Sequence, residues 1–125
     1  MIRAVRLVND DQGRAHVQHG RIDLPQHAVR SAAVACTTAA FQETASGGSL
    51  DWHTAPRRQY VITLSGVLDF TTRDGEVFRL EPGIVLVAED TVGTGHRWQL
   101  IGDDPWQRLY VGLAENAGSG FIADV

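Results

Sequence analysis

The stretch Tyr60-Val61-Ile62-Thr63-Leu64-Ser65-Gly66-Val67-Leu68-Asp69-Phe70-Thr71-Thr72-Arg73-Asp74-Gly75-Glu76-Val77-Phe78-Arg79-Leu80 decides the fold. It contains three short runs rich in β-branched and aromatic residues, cut by Ser65-Gly66 and by Arg73-Asp74-Gly75-Glu76, which is the pattern of strands joined by turns. The Asp74-Gly75 pair predicts a tight hairpin turn whose two central residues take positive φ. Alternation along the strands then places Leu68 and Phe70 on one face, with Phe78 and Leu80 opposite them.

The same rhythm continues on both sides. Downstream, Glu81-Pro82-Gly83 breaks the hairpin ahead of a buried-looking strand over 84–88. A polar loop over 89–95 leads to a strand that begins at His96 and carries Trp98 and Leu100 on the same parity. Gly102-Asp103-Asp104-Pro105 then separates it from a strand over 106–111. Upstream, residues 14–24 and 29–44 are expected to supply further strands, with Ala39-Ala40-Phe41 alternatively part of a short helix. The tail over 115–120, rich in Gly, Ala and Ser, is expected to be a mobile end or a strand exchanged in a dimer. The reading is an all-β chain forming one domain over residues 1–125.

Composition excludes several classes of function. The chain has 125 residues, long enough for one sizeable core. It is 43% hydrophobic and 21% charged, with no apolar run approaching the ~20 residues that cross a bilayer. A soluble protein is expected, with no membrane partner and, lacking the apolar segment of a secretion signal, a cytoplasmic location. Eleven Lys and Arg against fifteen Asp and Glu leave a net charge of −4 with scattered signs, so no basic stripe is available for nucleic acid. Cys36, the one cysteine, excludes an intrachain disulfide and sits among small apolar residues, where a buried inert thiol is expected.

The residues that point to chemistry lie on either side of the opening stretch. His53, Ala55, Arg57 and Gln59 are separated by even steps, so on one strand they share a face, and if that face is interior His53 and Gln59 look into the same cavity. His96 opens another strand just after Gly93 and Gly95, where the backbone can turn sharply. Two imidazoles and an amide can therefore converge.

Here the chain resembles the cupin superfamily. The first cupin motif, G-x5-H-x-H-x3-E-x6-G, is met in spacing by Gly47, His53, Ala55, Gln59 and Gly66, and the second, G-x(5–7)-P-x-G-x2-H-x3-N, by Gly83, Thr91, Gly93, His96 and Leu100. The loop from Glu89-Asp90-Thr91 to Gly95-His96 and the segment Trp52-His53 to Gln59 also resemble small stand-alone bacterial cupins. The resemblance covers roughly residues 47–100 and implies a double-stranded β-helix, or jelly-roll, barrel. It further implies a small-molecule pocket, a homodimer paired through sheet edges or exchanged terminal strands, and a divalent metal (Fe, Mn, Ni or Zn) held by His53, Gln59 and His96. Two of the family's ligand positions are altered, to Ala55 and Gln59. An amide oxygen is a weaker ligand than a carboxylate, so a weakly held ion or none is the expectation.

With a weak metal or none, His53 and His96 become candidates for general base and acid, since an imidazole titrates near working pH. Arg57 could pair with a substrate carboxylate, Gln59 could orient substrate, and Trp98, two residues from His96, could wall the cavity; the bland alternatives are a solvated arginine, a satisfied core amide and core packing. His16, His19 and His27 read as solvated or interfacial, and Glu89 and Asp90 as turn-capping residues. The expected function is proton-transfer chemistry on a small molecule: an isomerase, dehydratase or lyase. The alternatives are a ligand-binding or sensing module, or a metal-dependent dioxygenase.

Overall fold

The computed structural model describes every residue except 26 and 28 and contains eleven strands. They are β1 (Ile2–Asn9), β2 (Ala15–Ile22), β3 (Cys36–Thr44), β4 (Ser49–His53), β5 (Gln59–Ser65), β6 (Val67–Thr72), β7 (Val77–Leu80), β8 (Ile84–Ala88), β9 (His96–Ile101), β10 (Trp106–Leu113) and β11 (Phe121–Ala123). Seven form one sheet in the order β11-β2-β1-β8-β5-β10-β3, and four form a second in the order β4-β9-β6-β7. All pairings are antiparallel except β1 with β8. No ladder joins the two sheets among the described residues, so the expected closed barrel is instead an open pair of sheets. Among the described residues no helix is long and apolar enough to cross a membrane.

The core fills the space between the sheets. Val5, Leu7, Val61, Leu86 and Trp106 reach in from the larger sheet, and Leu68, Phe70, Phe78, Leu80 and Leu100 from the smaller. Leu68 pairs with Leu80 and Phe70 with Phe78 across β6 and β7, as alternation predicts, and the two Phe rings stack with centroids 4.8 Å apart. Each such fully buried side chain stabilises the fold by about 1.5–3 kcal/mol, so this hairpin is the main lid on the core.

Several expectations are corrected. The β6–β7 turn uses positive φ at Gly75 alone (φ 86°): Gly75 N–H donates to the Thr72 carbonyl and Thr72 N–H to the Glu76 carbonyl, a longer loop closed by one left-handed glycine. Ala39-Ala40-Phe41 lies in β3, whose ladder with β10 outweighs the helix propensity of two alanines. Cys36 is exposed, because β3 is the edge strand and Cys36 starts it. Within this chain the tail is held rather than loose: β11 pairs with β2, Arg58 Nη2 donates to the Ala117 carbonyl, and Tyr60 Oη donates to the Ser119 carbonyl.

His16 is neither idle nor merely solvated. Its Nδ1 lies 2.9 Å from Glu76 Oε2 and its Nε2 lies 2.8 Å from Asp10 Oδ2, so both nitrogens must donate, which is the imidazolium form. The bond to Asp10, then that to Glu76, raises the His16 pKa above 6.5, and the bond from His16 helps hold Asp10 down at about 2. The share of stability due to His16 is present below 6.5 and is lost as pH rises through its raised folded-state pKa, while that due to Asp10 is present above 3.8 and is lost as pH falls through about 2. The melting-temperature deficit of His16→Gln is therefore expected to be fullest between pH 3.8 and 6.5 and to shrink in alkaline buffer. Thermal melts across pH check this, and a deficit that does not shrink would mean that packing, not charge, is what the substitution removes.

Candidate functional site

A cavity of about 820 Å³ lies between the sheets, where β3 and β10 of the larger sheet face β4 and β9 of the smaller. Its walls include all five residues singled out from sequence: His53, Arg57, Gln59, His96 and Trp98. His96 and Trp98 share a face of β9 as expected, but His53, Arg57 and Gln59 do not get there by parity along one strand. β4 ends at His53 and β5 starts at Gln59, so residues 54–58 form a connection that passes from the smaller sheet to the larger. Pro56 in that connection lacks a backbone donor and suits a crossing better than a ladder. His53 and Gln59 thus enter the cavity from opposite sheets.

His53 and His96 are register partners across β4 and β9, with ring centroids 4.4 Å apart in an edge-on arrangement. Gly95 makes that approach possible. It holds φ at 71°, and a Cβ there would overlap the His53 carbonyl oxygen, so a larger residue would push the two strands apart just where the imidazoles meet.

The tautomers follow from the partners. His96 Nδ1 lies 2.5 Å from Asp90 Oδ2, and since a carboxylate only accepts, His96 donates from Nδ1 and leaves Nε2 as its free nitrogen. His53 likewise donates from Nδ1 to the Asp51 carbonyl at 2.8 Å. Two Nε2 atoms are therefore left for the cavity that both residues line. Burial, and secondarily the neighbouring His96, hold the His53 pKa below 6.5, so the ring is neutral and basic at neutral pH.

Asp90 is the site residue that sequence reasoning missed. It is fully buried, its carbonyl accepts from Ala55 N–H, and its Oδ1 is the one buried side-chain polar atom without a partner among the described residues. An unmet buried acceptor costs about 1–3 kcal/mol, a burden that fits a group kept to orient an imidazole. The adjacent Glu89 faces the other way and bridges Arg6 and Arg58 at 2.7 Å each. Arg58 thus turns away from the cavity while Arg57 borders it and donates to Thr38 Oγ1 at 3.3 Å. A carboxylate two residues past an apolar strand and six before a histidine is the only sequence signal for Asp90.

Arg108 is the second residue that was missed. It lines the cavity from β10, between Trp106 and Tyr110 of the same parity, and is only 2% exposed. Its guanidinium lies 3.8 Å from the centre of the Trp106 ring. Nothing in the local sequence distinguishes it from a solvated strand arginine.

The metal expected on His53, Gln59 and His96 meets a poor set of donors: two imidazoles and a neutral amide, with the nearby Asp90 carboxylate turned to His96 Nδ1. No cluster of three or more His, Cys, Asp or Glu side chains able to hold a metal ion occurs among the described residues. These residues do not fit a tightly held ion. No family model matches this chain, and no curated protein matches it either.

Gly95→Ala is expected to cost about 1–3 kcal/mol in urea unfolding, because it adds both strain and overlap. It should also weaken the cross-peaks between the two imidazoles in NMR spectra. In wild type the His53 ring is expected to titrate below 6.5, and in His96→Gln to move only part of the way back, since burial is the larger cause. A His53 titration at or above 6.5 in wild type would contradict the arrangement.

Proposed function

We propose that this chain is a small-molecule enzyme of the cupin type, a jelly-roll fold whose two motif histidines serve proton transfer in an isomerisation, dehydration or elimination. The observation that carries the reading is the buried Asp90–His96 pair set edge-on to a neutral His53 at a cavity of ligand size. Paired titratable groups held in different environments are how one site does acid and base work at one pH.

His53 Nε2 takes a proton from a carbon next to a carbonyl group, and the electron pair of that bond moves onto the carbonyl oxygen. His96, when it carries a proton on Nε2, donates it to that oxygen or to a leaving group, and Asp90 stabilises the resulting distribution of charge through Nδ1. Gln59, which lines the cavity and whose side chain makes no hydrogen bond among the described residues, is free to hold a polar group of the substrate. Trp98 and Phe70 exclude water from the reacting end.

Incubating the protein in heavy water with a panel of small enolisable carbonyl compounds, and following the loss of α-proton signals by NMR, tests this. Exchange is expected in wild type, reduced by about 10²-fold or more in His53→Ala and in His96→Ala. Asp90→Asn is expected to lower kcat more than it changes KM. Binding of panel compounds without any exchange would overturn the enzyme and support a ligand-binding module.

A further inference from the structure

Arg108 carries a permanent positive charge in the interior, and no carboxylate of the described residues pairs with it. It cannot shed that charge, because a guanidinium stays protonated at any ordinary pH. Its partners are all neutral: Nε donates to Tyr110 Oη at 3.1 Å, and Nη1 donates to Thr44 Oγ1 at 2.7 Å and to the Trp106 carbonyl at 3.1 Å. The faces of Trp106 and, further off, Tyr110 and Trp98 supply the remaining attraction. Among the described residues Nη2 has no hydrogen-bond partner, yet it is not sealed off, since Asp90 Oδ1 is the only side-chain polar atom among them both enclosed and unpaired. The nearest acid in sequence register, Glu43, instead accepts from Gln107 Nε2 at 2.6 Å, on the parity opposite to Arg108.

We propose that Arg108 is the anion-binding group of the cavity and that the substrate is an organic carboxylate with an apolar body. A desolvated cation lacking a counter-charge favours a ligand that brings one, and the terminal nitrogen Nη2, left without a protein acceptor, can donate a charge-assisted hydrogen bond to a carboxylate oxygen. The surfaces that share the cavity with it, among them Phe70, Val61, Leu86 and Trp98, suit a hydrocarbon or aromatic skeleton rather than a sugar or a phosphate ester. His53 and His96 occupy the same cavity, so a substrate anchored on Arg108 presents its other end to them. The inference deepens the reading of this cavity as the site and gives its substrate class.

The test uses the wild-type protein and three acid–amide pairs: benzoate with benzamide, phenylacetate with phenylacetamide, hexanoate with hexanamide. Calorimetry and the fluorescence of the neighbouring tryptophans are the readouts. At least one acid is expected to bind about 10- to 100-fold more tightly than its amide, the range for a charge-assisted hydrogen bond converted to affinity. Arg108→Met is expected to erase that preference and Arg108→Lys to retain part of it, with circular dichroism checking that each is folded. Should Arg108→Met fail to fold, Arg108→Lys decides together with Arg57→Met, a change at the other arginine of the cavity that is expected to leave the preference in place. Acids binding no better than their amides would overturn the proposal, as would a preference that survives in Arg108→Met but vanishes in His53→Ala/His96→Ala. A preference intact in the double histidine variant, in a protein that exchanges no protons, would uphold the anion site while the enzyme reading fails.

Discussion

At a spacing of about 4.8 Å between neighbouring strands, a seven-stranded sheet has an inner face roughly twice as wide as that of a four-stranded one. Pairing two such sheets leaves inner positions that no opposing strand covers. At the β6–β7–β9 side the smaller sheet meets the larger closely enough to bury Leu68, Leu80 and Phe70 almost completely. At the β3 side it does not. β3 is exposed along nearly its whole length, Phe41 is 76% exposed, and Arg108 and Tyr110 of β10 border a cavity. The cavity thus lies where β3 and β10 face β4 and β9 without closing on them, and the polar residues around it sit where water or a ligand can meet them.

Two connections turn that space into a place for chemistry. The loop after β8 sends Glu89 to Arg6 and Arg58 and Asp90 to His96, so one adjacent pair of carboxylates locks the scaffold with one member and orients an imidazole with the other. The connection after β4 hands the chain from one sheet to the other and delivers Gln59 opposite His53. Gly95 sets the closeness of the two strands that carry the histidines. Arg108, held by Thr44, Tyr110 and the Trp106 ring, adds a fixed charge to the opposite wall. The cavity thus has an acid–base side and a cationic side joined by aromatic and aliphatic surface.

Much of this was legible beforehand. The sequence by itself determined the strands of the central region, the Leu68–Leu80 and Phe70–Phe78 pairings, the break at Glu81-Pro82-Gly83 and the shared parity of His96, Trp98 and Leu100, because two-residue alternation and turn chemistry are local properties. Motif spacing also picked out His53, Gln59 and His96, which do border one cavity. Only the tertiary structure decided the rest. The exposure of Cys36 depends on β3 lying at a sheet edge, and the capture of the tail depends on β2 having a free edge. The roles of Asp90, His16 and Arg108 depend on partners 6, 60 and 64 residues away for His96, Glu76 and Thr44 respectively. Such contacts are set by how sheets stack and loops cross, and no periodicity in the chain encodes which charge will meet which, or which will be left inside without a partner.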